Sequence, residues 1–254
     1  MSPSTKNRRP TAASKTLADQ FSPIVALHDS LRERGASGID VVAARTRIRA
    51  GRPAFDSASV LRGAGDLMKP FQKTAAALER IGIASTPQAH ALQNTSIDPT
   101  ALVVSWANGD SVPRASHMRL ARQVAGIIGN ALLARASDAV VEGFSLTAWK
   151  RAQCPCCGAS PDMALATDRR RTLVCWRCDT MWRTDNRGCL SCGADTAPTL
   201  ARVPSPFLGY ELAICNSCGR YLKERRGAPT HALLVERALT AGLDEAAQQR
   251  GLRA

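Results

Sequence analysis

Eight of the nine cysteines stand in pairs separated by two residues, a spacing typical of metal binding. The pairs are Cys154/Cys157, Cys175/Cys178, Cys189/Cys192 and Cys215/Cys218. A Cys-x-x-Cys turn directs two thiolates at one point, so two such turns complete a tetrahedral site for zinc or iron. Four pairs in one stretch are stronger evidence than a single pair. The sequence therefore predicts two mononuclear metal sites.

The cysteine-rich stretch contains two similar copies of one sequence unit. In each copy a first pair is followed by a small apolar strand, a second pair and a large side chain, which is Trp182 in the first copy and Tyr221 in the second. This layout is typical of a rubredoxin-like or zinc-ribbon lobe. The simplest arrangement keeps the ligands within each copy, so the first four paired cysteines bind one ion and the last four bind the other. An interleaved arrangement is the alternative.

The two ions are expected to hold the fold, because the stretch contains few large apolar residues for a core. Four thiolates suit iron as well as zinc, so the predicted cofactors are two tetrathiolate-bound ions of either metal. Cys156 is the ninth cysteine and lies inside the first pair. It is interpreted as a spare thiol; a redox or ligand-swapping role is the alternative.

The elements around the cysteines predict an α+β protein, with an N-terminal all-α helical domain, two small rubredoxin-like lobes and a C-terminal helix. The predicted divisions are a disordered terminus at 1–16, the helical domain at 17–150, the lobes at 151–187 and 188–227, and the last helix at 228–254. Capping residues before proline predict helix starts at Ser22-Pro23, Thr86-Pro87 and Asp98-Pro99. Apolar periodicity predicts further helices at 39–49, 71–81, 111–136 and 139–149, and Thr230 is predicted to cap the last helix.

The formal net charge is +13, which favours an acidic partner surface or nucleic acid. Nucleic acid is the weaker of these partners, because the basic residues are spread along the helical half and aromatic residues make up only 4%. No stretch reaches the roughly 18 apolar residues in a row that a membrane helix needs. Arg8-Arg9 could begin a twin-arginine export signal, but no apolar region follows it, so an export signal is not predicted. Paired thiols without such a signal fit a reducing cytoplasm, which is the predicted location.

Enzymatic chemistry is not predicted. The four histidines are scattered along the chain, and the sequence contains no nucleotide-binding loop, nucleophile elbow or zinc-protease motif. Outside the cysteine pairs, no nucleophile and base stand at a spacing that would bring them together.

The order of the cysteine motifs resembles that of the formate dehydrogenase accessory proteins of the FdhE family. The resemblance covers about 150–226 and rests on Cys154-Pro155-Cys156-Cys157-Gly158, on Leu173 to Trp182, on Cys189 to Gly193, and above all on Cys215 to Lys223, which reads Cys-x-x-Cys-Gly-Arg-Tyr-Leu-Lys. Proteins of that family pair a helical domain with two rubredoxin-like lobes and are not enzymes. They bind the catalytic subunit of a molybdenum- or tungsten-containing formate dehydrogenase in the cytoplasm and help to bring it to an active state.

The resemblance implies a partner surface near the lobes. Trp182 and Tyr221 take matching places in the two copies and are candidate anchors for the partner, with covering of their metal sites as the alternative. Arg183 is a third candidate, and it stands where the familiar members carry a histidine. Two other classes of function remain open, namely a nucleic-acid-binding zinc-ribbon protein and a rubredoxin-type electron carrier. The oligomeric state is not predicted.

The paired cysteines predict two bound metal ions for each chain. Cys157→Ser should remove one ion and unfold its lobe, because metal binding supplies the folding free energy of such lobes. The control variant, Cys156→Ser, should keep both ions. Elemental analysis of purified protein checks this, and a ratio near one ion in the unsubstituted chain would contradict it.

Overall fold

The computed structural model describes residues 16, 18–34, 38–111, 113–167, 170–186, 188–195, 200–204 and 209–253. Helices occupy the first part of the chain, a mixed sheet follows, and two helices end it. The predicted α+β class, with helices preceding a cysteine-bearing sheet, is confirmed. The disorder predicted for residues 1–16 falls outside the described residues, except at Thr16, which is helical.

Seven helices precede the sheet in the described part of the chain. They are α1 Ser22–Arg34, α2 Val41–Arg49, α3 Ser57–Arg62, α4 Met68–Arg80, α5 Thr86–Gln93, α6 Pro99–Asn108 and α7 Ser116–Val141. The short helix α3 was not predicted from the sequence. It begins because Asp56 accepts a hydrogen bond from the backbone amide of Ser59 at 2.8 Å, a local cap in a segment too short to show periodicity.

Local side-chain caps start several of these helices. Asp98 accepts hydrogen bonds from the amides of Thr100 and Ala101, at 2.9 and 3.2 Å, and Pro99 is the first helical residue, as predicted. The cap of α5 lies one residue earlier than predicted. Ser85, not Thr86, forms a capping box with Gln88, because the glutamine side chain reaches back to the Ser85 amide.

Helix α7 is the centre of the helical domain, because all six preceding helices contact it. Its predicted apolar stripe is buried: Leu120, Val124, Ile127, Ile128 and Leu132. Among the described helices, α7 is the one long and apolar enough to cross a membrane by length and composition, but 67% of its most apolar stretch is buried inside the protein. Its apolar character is accounted for by its position at the middle of a bundle.

A separate helix at 139–149 is not present, and this prediction was wrong. Helix α7 itself runs to Val141 and the chain then continues without regular structure as far as the first cysteine pair. Gly143 has a φ of 64°, which ends the helix, and the indole of Trp149 donates to the carbonyl of Gln153 at 2.8 Å. The apolar residues that suggested a helix therefore belong to a folded loop packed on the core.

Six strands form one sheet in the order β3-β2-β1-β6-β5-β4. The strands are β1 Pro161–Ala166, β2 Arg171–Cys175, β3 Met181–Thr184, β4 Leu200–Pro204, β5 Tyr210–Cys215 and β6 Tyr221–Arg226. Each sequence copy contributes three antiparallel strands, and β1 of the first copy pairs in parallel with β6 of the second. The two copies therefore share one continuous sheet, and their division into lobes at 187/188 stays a prediction.

The C-terminal segment forms two helices, α8 Leu233–Leu239 and α9 Ala241–Gln249, where a single helix was predicted. Thr230 does not cap the first of them, because the residue at the cap position is Ala232. Instead the Thr230 amide donates to the carboxylate of Glu236 at 2.7 Å. Thr240 separates the helices, and its hydroxyl donates to the carbonyl of Glu236 at 2.7 Å.

Close packing between α6 and α7 predicts that Gly129→Ala destabilises the protein. A Cβ atom at Gly129 would lie 2.5 Å from Cζ3 of Trp106, and this ring is held edge-on against Trp176 with centroids 5.1 Å apart. Overpacking of this kind costs about 1–3 kcal/mol. Gly242→Ala is the matched control, since nothing lies within 4 Å of its Cβ position and alanine favours the helix by about 0.5–1 kcal/mol. Urea unfolding of both variants measures the difference, and equal midpoints would contradict the packing argument.

Candidate metal centre

The first four-cysteine group lies where the sheet meets the helices. Cys154 and Cys157 form the turn before β1, while Cys175 ends β2 and Cys178 lies in the turn before β3. The sulfur atoms of Cys154 and Cys178 are 3.5 Å apart, and those of Cys157 and Cys175 are 3.4 Å apart. All four sulfur atoms lie within 4.8 Å of one another, so they face a common point.

The second group repeats this geometry at the other end of the sheet. Cys189 and Cys192 lie in the turn after the inter-copy connection, while Cys215 ends β5 and Cys218 lies in the turn before β6. The sulfur atoms of Cys189 and Cys218 are 3.6 Å apart, as are those of Cys192 and Cys215. The structure thus brings the cysteines together within each copy and does not interleave them.

The sulfur separations fit a tetrahedral metal ion. Sulfur ligands about 2.3 Å from zinc lie about 3.8 Å from one another, close to the measured separations. A disulfide would require about 2.05 Å, and all nine cysteines are free thiols. The two groups can therefore each hold a metal ion, and the assignment of the eight cysteines as its ligands stays a prediction.

All four cysteine turns close with the same backbone hydrogen bond. The amide four residues after the first cysteine donates to that cysteine's carbonyl, at 2.8–3.1 Å. The donors are Gly158, Asp179, Gly193 and Gly219, each with a positive φ. In the first turn of each copy a further amide points at sulfur, from Cys156 to Cys154 and from Ser191 to Cys189, both at 3.4 Å. Amide donors of this kind suit a sulfur atom that serves as a metal ligand.

Asp179 breaks this pattern, because it is the non-glycine residue with a positive φ (56°) among the residues described. This backbone conformation is costly for a residue with a Cβ atom. The side chain supplies the compensation, since its carboxylate accepts hydrogen bonds from Asn130 of α7 at 3.0 Å and from Arg237 of α8 at 2.6 Å. Asp179 therefore ties the second cysteine turn to both helical parts of the protein.

Arg237 is the centre of the charged cluster behind the first cysteine group. Its guanidinium contacts Asp179, the carboxylate of Asp162 at 2.8 Å and the carbonyl of Cys175 at 2.9 Å. Burial alone would lower the pKa of Arg237, but the carboxylates of Asp162 and Asp179 raise it above its ordinary value. The guanidinium stays charged and binds strand, turn and helix together.

This cluster was not predicted from the sequence. Its one visible signal was the missing glycine after the second cysteine pair, where Asp179 stands. Of the scattered histidines, His28 is buried, and its Nε2 lies 2.7 Å from Oδ1 of Asn130. It therefore supports the same cluster from α1, and it is not a member of either four-cysteine group.

Cys154 in the first group and Cys215 in the second each have a pKa below the ordinary value of a thiol. Burial opposes ionisation of Cys215, but the backbone amides of Cys218 and Ser217 lower its pKa to about 7. Burial raises the pKa of Cys218 to about 12. In the first group, burial alone would raise the pKa of Cys154. Hydrogen bonds from neighbouring cysteines have the larger effect and hold that pKa well below its ordinary value. One thiolate in each group is thus ready to bind a cation, which then displaces the remaining protons.

Cys156 lies outside the group of four but supports the turn. It is fully buried, and its carbonyl accepts from the amide of Phe55 at 3.1 Å, while the carbonyl of Pro155 accepts from Ala54 at 2.9 Å. The Cys154 thiolate and burial raise the pKa of Cys156 well above its ordinary value. It therefore remains a protonated thiol, in keeping with the spare-thiol interpretation.

The three candidate partner residues differ in exposure. Trp182 is 2% exposed and donates to the carbonyl of Arg151 at 3.2 Å, and Tyr221 is 7% exposed and donates to Asp244 at 2.9 Å. Both rings are therefore buried: Trp182 belongs to the same core as the first cysteine group, whereas Tyr221 packs with Leu212, Ile214 and Ala247. Their part in partner binding stays a prediction. Arg183 is exposed on strand β3 at the edge of the sheet.

The fold and the two cysteine groups define a class of protein in which a helical domain carries a sheet with two four-cysteine centres. A protein of known structure with a similar fold is the FdhE protein from Pseudomonas aeruginosa. The TM-score is 0.64 at 16% sequence identity, and the match covers 97% of this chain and 95% of that one. A scan against protein-family models finds no match, and no curated protein matches the sequence. The likeness is therefore one of fold.

The charged cluster predicts that Arg237→Ala destabilises the protein by about 3 kcal/mol, because it leaves the carboxylates of Asp162 and Asp179 without their partner. Arg226→Ala is the matched control, since Arg226 is exposed on β6 and should change stability by less than about 0.5 kcal/mol. Urea unfolding at constant metal content measures both, and an unchanged midpoint for Arg237→Ala would show that the cluster contributes nothing.

Proposed function

We propose that this protein is an accessory factor that binds the catalytic subunit of a molybdenum- or tungsten-dependent formate dehydrogenase in the cytoplasm and promotes its maturation. The similarity of fold to an FdhE protein over nearly the whole chain carries the proposal. It is supported by the resemblance of the cysteine motifs, which are the same residues that the structure gathers into two groups. The fold similarity extends beyond the motif, since it also covers the helical half of the chain.

The proposed cofactors are two metal ions, iron or zinc, one in each four-cysteine group. Either metal accepts four thiolates in a tetrahedron. Bound there, each ion would cross-link the two cysteine turns of its copy. The polypeptide for its part provides the amide donors to sulfur and the cluster of Asp179 and Arg237 that holds the turns in place.

We propose no catalytic turnover for the protein itself. Its buried charged groups pair with one another across element boundaries. Glu224 of β6 contacts Arg171 of β2 and Arg202 of β4, and Lys223 donates to Asp244 of α9 at 2.6 Å. Groups that satisfy one another in this way stabilise the fold and are not aimed at a substrate. The protein acts, in this proposal, through the surface that it presents to its client.

The proposed client surface lies beside Arg183 on the edge strand β3. Met181, on the same face of this strand, is 41% exposed, and the loop residues Phe144 and Leu146 line the adjoining depression. The guanidinium of Arg49 lies over the ring of Phe144, 5.2 Å from its centroid. An apolar strip with basic side chains at its margin fits an acidic protein segment, and the net charge of +13 favours the encounter.

Loss of the gene should lower formate dehydrogenase activity in the host, with the transcript of the catalytic subunit unchanged. Affinity-tagged protein should capture that subunit, and Arg183→Glu should weaken the capture about tenfold, while Arg226→Glu, with the same charge change on β6, should leave it intact. Metal content is measured first for each variant.

Purified protein alone should oxidise formate only at background rate. Parental activity in the deletion strain would overturn the proposal, and salt-sensitive capture of nucleic acid would favour the nucleic-acid alternative.

A further inference from the structure

The two groups each consist of four cysteines but differ in how far those cysteines are exposed to solvent. In the first group Cys154, Cys157, Cys175 and Cys178 are all buried, with exposed fractions of 0, 7, 0 and 1%. In the second, Cys189 and Cys215 are buried, Cys218 is partly exposed and Cys192 is exposed. One group is therefore enclosed and the other opens to solvent on the side of Cys192.

The helical domain covers the first group. The backbone of residues 54–55 donates to the carbonyls of Pro155 and Cys156, and a Cβ atom at Gly158 would lie only 3.1 Å from Pro53. The other turn of this group, which contains Cys175 and Cys178, is held against α7 by the hydrogen bond from Asn130 to Asp179. Reaching these sulfur atoms requires that the sheet separate from the helices, which breaks all of these contacts at once.

Nothing comparable covers the second group among the residues described. Turn residues Ser191 and Gly193, on either side of Cys192, are exposed, and no atom lies within 4 Å of a Cβ position at Gly193 or Gly219. On the Cys218 side the turn is contacted by Arg253 near the C-terminal end, whose amide donates to the carbonyl of Gly219 at 2.9 Å and whose guanidinium donates to the carbonyl of Cys218 at 3.4 Å. A cavity of about 200 Å³ opens beside Cys189 and Cys215.

We propose that the second group is an exchangeable metal site and the first a permanent one. An incoming soft ligand, such as a thiolate of a chelator or of another protein, binds the ion of the second site from the exposed side. The Cys192 thiolate leaves the ion and takes up a proton, with no change of oxidation state. The ion of the first site cannot be reached in this way until the fold opens locally. The inference concerns this chain alone and is independent of the client enzyme.

Metal release from intact protein loaded with two zinc ions tests the proposal. With the chromophoric chelator 4-(2-pyridylazo)resorcinol in excess, release should occur in two phases of one ion each, and the fast phase should be at least about tenfold faster because only the slow phase requires local unfolding. Alkylation by iodoacetamide during the fast phase, followed by peptide mapping, should label Cys192 and the other three cysteines of its group. Release of both ions in one phase, or earlier labelling of the first group, would overturn the proposal.

Two variants assign the phases independently of the mapping. Pro53→Gly removes part of the cover of the first group and should accelerate the slow phase alone. Cys192→Ser should abolish the fast phase by removing the exchangeable ion, and the slow phase should keep its amplitude of one ion. Acceleration of the fast phase by Pro53→Gly would contradict the assignment. The readout is metal release, so the result does not depend on any enzyme assay.

Discussion

The docking of the first cysteine turn on the helical domain is the contact on which the rest of the structure depends. The amides of residues 54–55 donate to the carbonyls of Pro155 and Cys156, so the turn is held against the helical domain. The same hydrophobic core contains the central helix α7, Trp149, Trp182 and Leu222. A metal ion in that group would therefore cross-link residues that already belong to the core of the whole protein, where small metal-binding lobes usually have no such core.

Buried charge extends this junction to the C-terminal helices. Arg237 of α8 contacts both β1 and the second cysteine turn. Asp179 has a left-handed backbone conformation, and its carboxylate accepts hydrogen bonds from both Arg237 and Asn130. Removal of one member would leave buried charge without a partner, which is more costly than the loss of one ordinary hydrogen bond. The cluster therefore makes the orientation of the sheet on the helices specific.

The asymmetry between the two cysteine groups follows from where the helices lie. The sequence copies are alike, but the first is placed against α7 and the second extends away from it at the far end of the sheet. One copy gains a protein cover and the other keeps exposed sulfur. Two copies of one sequence unit therefore form a buried four-cysteine group and a solvent-accessible one from the same set of ligands.

The sequence by itself determined the features that depend on local spacing. The cysteine pairs, the glycines after them and the apolar stripe of α7 are periodic or adjacent along the chain, so the two groups of four, the α+β class and the central helix could be predicted. The Asp98-Pro99 start of α6 was predictable for the same reason, since a cap involves neighbours only.

Only the tertiary structure decided the features that depend on distant residues. The parallel pairing of β1 with β6 joins two copies that local patterns present as separate lobes. The burial of Trp182 and Tyr221 and the meeting of Asp179 with Arg237 involve partners far away in the sequence. The sequence around Thr240 and at 142–149 has the apolar spacing of a helix. Its apolar residues instead contact the core from a helix break and from a loop, and these contacts cannot be read from the local sequence.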